Sequence, residues 1–259
     1  MLSIITPVRN GKPFIRACLQ NVIDQKCDGI EHIIIDGGST DGTVEVVMEY
    51  AGKYAYVRWI SEPDSGQSDA MNKGLAMARG SIVSFLNVDD DYEPGVLARV
   101  SELFRHLPEP SLLVGNCNIW LDGGVLSEVN CPSRLTVTDI LASRKGPANP
   151  CAYFYHKSLH EAIGLYDTED HYTMDYQFIL RAVQVANVQY VNETWGNFHL
   201  YPGCKTYESC IVTKQAAFRK DRIIRKYLGT LSFQKKTLYY LKRFGFRIKP
   251  KLKRLMMSH

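Results

Sequence analysis

Four polar clusters, each directly after a short apolar run, hold the residues with which this chain could do chemistry. They are Thr6-Pro7-Val8-Arg9-Asn10, Asp36-Gly37-Gly38-Ser39-Thr40-Asp41-Gly42-Thr43, Ser61-Glu62-Pro63-Asp64-Ser65-Gly66 and Asn87-Val88-Asp89-Asp90-Asp91-Tyr92. Any one of them is also ordinary turn and helix-cap composition. Their recurrence after four successive apolar runs points to a shared site. Three adjacent carboxylates, Asp89 to Asp91, repel one another and are tolerated where water or a divalent cation screens them. A cation in turn suits a diphosphate ligand, although a solvated turn ahead of a helix could carry the same residues. Asp36 can accept hydrogen bonds from a base or ribose, or hold its own turn. Neither G-x-G-x-x-G nor G-x-x-x-x-G-K-[ST] occurs, so neither the dinucleotide fingerprint nor the P-loop is supported.

A sheet is needed to bring these clusters together. Residues 2–6, 30–35, 56–60 and 81–86 read as strands, with helical patterns at 13–25, from Ser39-Thr40-Asp41 to about residue 50, at 67–78 and from Pro94 to about residue 106. Residues 112–114 begin a further strand. Strand–helix alternation with near-continuous apolar strands predicts an α/β fold with a mostly parallel sheet covered on both faces. Ligands of such sheets bind beyond the carboxyl ends of the strands, where the four clusters fall. The second half is less regular, with a hairpin over 117–130 around Asp122-Gly123-Gly124 and a strand over 151–155. Helices are expected at 173–186, 214–227 and 234–242.

Composition narrows the class. The chain has 259 residues and a net charge of +4. That charge divides into +13 over residues 219–254, with 14 Lys/Arg against Asp221 alone, and −9 over the remainder. Seven cysteines without a C-x-x-C pair argue against zinc or a disulfide framework and fit reduced thiols in the cytoplasm. No apolar run approaches the roughly 18 residues of a membrane span, and the N-terminus enters a strand with no signal-peptide core before it. Residues 235–254 interleave Lys and Arg with Leu, Tyr, Phe and Ile, a pattern suited to an anionic membrane surface. A tail packed on the acidic body or a solvated helix would carry the same residues, and no nucleic acid partner is expected.

The motifs T-P-V-R-N at 6–10, I-I-I-D-G-G-S-T-D-G-T at 33–43, S-E-P-D-S-G-Q-S-D-A-M-N-K-G at 61–74 and F-L-N-V-D-D-D-Y at 85–92 occur in order. Together they resemble the family 2 glycosyltransferases of GT-A fold, over about residues 1–200. The resemblance implies a Rossmann-like domain over 1–218, with a nucleotide-sugar half to about residue 115 and an acceptor half after it. A basic helical extension would follow over 219–259. It also implies transfer of a sugar from a nucleotide diphosphate donor, assisted by Mg or Mn, to a saccharide or lipid-linked acceptor. The setting would be assembly of a cell-surface polysaccharide or glycolipid, in the cytoplasm or peripherally at the inner membrane face.

Residue by residue, the resemblance places Thr6, Pro7, Arg9 and Asp36 on the nucleotide, and Asp64 and Asn72 lining or supporting the donor pocket. The D-x-D metal element has Asn87 at its usual first acid and ends on Asp89, followed by Asp90. Asp91 supplies a literal D-x-D at 89–91. Gly37 stands where many relatives carry another Asp. Asp175, in His171-Tyr172-Thr173-Met174-Asp175-Tyr176-Gln177, matches the general base at the start of a helix, where an N-cap is the alternative role. A carboxylate there is ionised, with a reference pKa of about 3.9, and partial desolvation raises its basicity. His199 and Lys205 lie in a stretch resembling a mobile loop that touches metal or diphosphate. Asn149 and His156 lie where relatives bind acceptor, and Trp120 and Trp195 suit sugar stacking or the core; the remaining histidines are expected to be structural or on the surface. The implied reaction is a single displacement with inversion, and retention stays compatible with the sequence. The alternatives are a catalytically silent nucleotide-sugar-binding module and a sugar nucleotidyltransferase.

Overall fold

A computed structural model describes residues 1–256, with side chains to residue 246. Strands β1 (Leu2–Val8), β2 (Ile30–Asp36), β3 (Val57–Ser61) and β4 (Ile82–Phe85) form a parallel block in the order β3-β2-β1-β4. Every residue of β1 and β2 is buried, so neither strand has a solvent face, and polar residues within them pair inside the fold, Ser3 donating to Glu31 at 2.6 Å and the Thr6 hydroxyl lying 2.9 Å from His32 Nε2. The crossovers are α1 (Lys12–Asp24), α2 (Thr43–Lys53) and α3 (Gln67–Met77). Helix α3 lies close on β1, since a Cβ on Gly74 would stand 2.3 Å from Ile5 Cγ2. Helix α2 starts later than its polar entry suggests. Asp41 sits outside it, accepting from the Thr43 N–H at 3.0 Å, while Gly42 takes a left-handed turn with φ 95°.

The remaining strands turn the sheet from parallel to mixed. After β5 (Asp91–Tyr92) and α4 (Val96–Phe104) come β6 (Ser111–Leu121), β7 (Val125–Asn130) and α5 (Val137–Ser143). Then follow β8 (Tyr153–His156), α6 (Leu159–Ile163), α7 (Met174–Ala182) and β9 (Asn187–Leu200). Strand β8 is antiparallel to both β4 and β6, β9 runs parallel to β6, and β5 pairs antiparallel with β9. The expected hairpin is β6–β7. The fourteen-residue β9 was not foreseen, and the helix expected to reach residue 186 ends at Ala182. β9 carries the 197–200 stretch alongside β5 and so brings the loop after it to the β4 end.

The chain continues through α8 (Lys205–Tyr207), a π-turn at Glu208–Val212, α9 (Gln215–Thr230) and α10 (Phe233–Met256). The expected boundary at 218/219 falls inside α9. Ile224 and Tyr239 are buried in the same apolar cluster as Tyr176 and Ile179, and Lys242 Nζ reaches Asp139 on α5 at 2.7 Å. One face of the C-terminal helices is therefore packed on the body. Side chains of the basic stretch beyond residue 246 lie outside the described residues.

Candidate active site

The carboxyl ends of β1 and β4 open on a cavity of about 420 Å³. Pro7 and Arg9 reach it from the end of β1, Asp64 and Gln67 from the entry to α3, and Asp89 from the loop after β4. Asp175 enters from the first turn of α7, and Lys205 from the segment after β9. Asp64 is held by the Gly66 N–H, 2.9 Å from Oδ1, and lies over Gly37. A Cβ at residue 37 would stand 2.3 Å from Asp64 Oδ2, so glycine there is what lets this carboxylate occupy its place. Gln67 links two walls, donating to Asn87 Oδ1 at 3.0 Å and accepting from Lys205 Nζ at 2.8 Å.

Asp175 is the second residue of α7. The N-cap is Thr173, with no side-chain cap hydrogen bond, and Asp170 holds the turn just before the helix, accepting from the N–H groups of Tyr172 and Thr173 at 3.1 and 3.0 Å. Asp175 is thus free of the capping role open to it in sequence. Burial pushes its carboxyl up to about 6, offset in part by the Lys205 charge and by the Tyr153 hydroxyl, which donates to Oδ1 at 3.3 Å.

The acidic triple fans out. Asp89 lines the cavity and accepts from the Tyr201 hydroxyl at 2.9 Å. Asp90 is buried and accepts from Asn87 Nδ2, Asn149 Nδ2 and the His199 N–H at 2.8, 2.7 and 3.1 Å. Burial first, then the neighbouring Asp89 charge, raises its pKa to about 7. Asp91 turns to a second cavity of about 870 Å³, where it meets His199 Nε2 at 2.8 Å. Hydrogen bonding to Asp91 raises the His199 pKa. Among the described residues, no three His, Cys, Asp or Glu side chains form a group that could hold a metal ion. A divalent ion arriving with a diphosphate needs only one or two protein carboxylates, because phosphate oxygens and waters complete its shell. Asp89 fits that requirement.

Three expected donor contacts do not line this cavity. Thr6 is buried within β1, its hydroxyl 2.9 Å from His32 Nε2. Asp36 is saturated by its own turn and the neighbouring strand, accepting from the Gly38 and Ser39 N–H groups at 3.1 and 2.9 Å and the Ser61 hydroxyl at 2.7 Å. Asn72 braces the segment before α7, exchanging two hydrogen bonds with the Tyr166 backbone at 2.9 and 3.0 Å. Asp91 and His199 likewise stand outside it, in the second cavity. His156 accepts the Ser111 N–H, and Trp195 is core, whereas Trp120 lines the second cavity with its indole N–H on Asn197 at 2.7 Å. The sequence reading missed Tyr153, Gln67 and Tyr201 and set His171 aside, although it lines the first cavity. Gln67 and His171 lie inside the motifs at 61–74 and 171–177, and Tyr201 inside the stretch between His199 and Lys205, whereas nothing in the sequence marks Tyr153.

Residues 3–118 match the family described as Glycosyl transferase family 2. The uncharacterized glycosyltransferase Rv1514c of Mycobacterium tuberculosis (strain ATCC 25618 / H37Rv) is 36% identical over 187 residues, which cover 71% of this chain and 70% of that protein. Against another curated relative, matched over 117 residues, the chain spans only 33% of the relative's length. TarS of S. aureus (residues 1–349) in complex with UDP-GlcNAc superimposes with a TM-score of 0.73 at 17% identity, covering 96% of this chain and 72% of that one. The mannosyltransferase PcManGT of Pyrobaculum calidifontis, in complex with GDP-Man and Mn2+, gives 0.67 at 18% identity, covering 94% and 69%. At those identities the two structures establish the fold, which is that of GT-A glycosyltransferases.

Proposed function

The chain belongs to glycosyl transferase family 2, and from that premise we propose that it moves a sugar from a nucleotide diphosphate donor to an acceptor hydroxyl by single displacement with inversion. The observation that carries this reading is the placement of Asp175 in one cavity with Arg9, Asp64 and Asp89. The nucleotide sugars bound by the two structural neighbours support a donor of the same class. In this reading Pro7, Arg9 and Asp64 hold the nucleotide end, with Thr6, Asp36 and Asn72 setting the shape of its surroundings. Asp89 faces the diphosphate, and a Mg or Mn ion held there would neutralise the leaving charge. Asp90 keeps the loop in place from below, and Lys205 adds a cation at the cavity wall.

Asp175 takes the proton of the acceptor hydroxyl as its oxygen bonds to the anomeric carbon. The bond from that carbon to the diphosphate oxygen breaks, and its electron pair leaves with the nucleoside diphosphate. A carboxyl brought up to about 6 is ionised at neutral pH yet more basic than an exposed aspartate, which suits this task. Tyr153 holds the carboxylate in position. The acceptor proposed is a saccharide or lipid-linked saccharide of a cell-surface polysaccharide or glycolipid, which would bring the enzyme to a membrane surface. No described helix is long and apolar enough to cross a membrane.

The test is a panel of UDP-, GDP- and dTDP-sugars incubated with the chain and Mg or Mn. Release of nucleoside diphosphate is expected with at least one donor. Release of pyrophosphate from a nucleoside triphosphate supplied with a sugar 1-phosphate, and no diphosphate release from the sugar panel, would instead indicate nucleotidyl transfer, and no turnover with bound donor would indicate a silent binding module.

A further inference from the structure

The last described helix, α10, presents its faces the wrong way round for a helix that merely packs on a soluble body. Its inner side is held by one aromatic ring and two cations. Tyr239 is buried, Lys242 pairs with Asp139 at 2.7 Å, and Arg243 donates to the Ala142 carbonyl at 3.0 Å. Its outer side carries Phe233, Tyr240, Leu241 and Phe244, which are 83%, 63%, 66% and 66% exposed. At 100° per residue these four fall within about 100° of one another, a single apolar stripe along the helix. A soluble helix ordinarily turns such a stripe to the core and its charges to water. Here the stripe faces out while two of the cations face in.

We propose that this stripe is an interfacial anchor that lies in the headgroup layer of an anionic lipid bilayer, with α10 parallel to the membrane plane. Two features select that occupant. No acid occurs anywhere from residue 222 to the end of the sequence, while Arg222, Arg225, Lys226 and Lys235 are exposed. The segment therefore complements an anionic surface. A second copy of the chain docking through the same stripe would bring two strongly basic segments together, because a two-fold contact is self-complementary in position but not in charge. Rings on one side with cations around them are the composition of helices that rest in the interface rather than cross it.

Charge alone is not the anchor in this proposal, since Lys242 and Arg243 are committed to α5. The rings must contribute apolar burial. The test is flotation of the full chain with vesicles of phosphatidylcholine alone and of phosphatidylcholine mixed with phosphatidylglycerol, at low and high salt. Wild type is expected on the mixed vesicles and largely absent from the neutral ones. Phe233→Ser with Phe244→Ser should lower binding at least about tenfold, as expected for removing two rings from an apolar environment. Nucleoside diphosphate release by that variant should be unchanged, so loss of anchoring is separable from loss of the proposed reaction. Arg222→Gln with Arg225→Gln and Lys226→Gln should weaken binding and flatten its salt dependence. Binding unaffected by the Ser variants would overturn the proposal in favour of a purely electrostatic tail. Equal binding to both vesicle types, or to neither, would overturn it outright. Concentration-dependent dimers that the Ser variants abolish would assign the stripe to a second copy.

Discussion

Replacing Asp175 by Asn should make the protein more stable. In the folded chain the carboxyl titrates at about 6 rather than its ordinary 3.8, chiefly because burial disfavours the charge. The folded chain therefore holds this proton more tightly than the unfolded chain does. Stability is unaffected by the residue below about pH 4, where both states are protonated. It falls as pH rises from about 4 to about 6, and the full penalty persists above that. At about 1.4 kcal/mol per pH unit the penalty reaches about 3 kcal/mol, and the residual exposure of the side chain trims it to about 2 kcal/mol. Asn fills the same space, can still accept from the Tyr153 hydroxyl and carries no charge to desolvate. For a domain of this size that corresponds to a rise of about 5 °C in melting temperature. Thermal unfolding of both proteins should show the gain at pH 7.5 and its disappearance near pH 4. A variant that melts no higher than wild type at pH 7.5, or whose advantage is the same at both pH values, would refute burial as the source of the raised pKa.

Four further outcomes follow from the same geometry. The acid limb of kcat/KM should fall near pH 6, with activity lost below it as Asp175 gains its proton; a limb near 4 would contradict the proposed base. Tyr153→Phe removes a hydrogen bond that favours the ionised form, so the limb should move to higher pH by about half a unit to one unit; movement to lower pH would contradict the contact. Asp89→Ala should abolish the Mn-dependent part of donor affinity measured by calorimetry, and equal affinity with and without Mn in wild type would count against Asp89 as the metal-facing carboxylate. Gly37→Ala places a methyl group against Asp64 Oδ2 and should weaken donor binding several-fold with little change in melting temperature; unaltered affinity would remove Asp64 from the donor contacts.

The parallel half of the fold was legible because its signals are local. Residues 30–36 carry four isoleucines and are buried throughout, and Asp41 and Gly42 mark the entry to α2 within a few residues of where the helix begins. Strand β9 was not legible. Its pattern over Asn187–Leu200 is irregular, and it is a strand because β6 and β5 pair with it across long sequence distances. The same contrast runs through the site. Arg9, Asp64, Asp89 and Asp175 could be placed near one another from motif order. The direction of each side chain could not be, because in a strand buried on both faces no polar–apolar alternation marks the inner side. Thr6 thus pairs with His32, and Asp91 meets His199 outside the cavity that holds Asp175. Tyr153 reaches Asp175 only through the tertiary placement of β8 beside α7, which leaves no trace in the spacing of the two residues.

In the proposed reaction Asp175 takes the proton of the acceptor hydroxyl beside a bound nucleotide sugar. The most direct test is Asp175→Asn, measured for donor affinity and for transfer turnover with the donor and metal identified by the panel. Donor affinity should be unchanged while turnover falls by about a thousandfold, the scale of a lost general base. Turnover close to wild type with the donor bound normally would contradict the account.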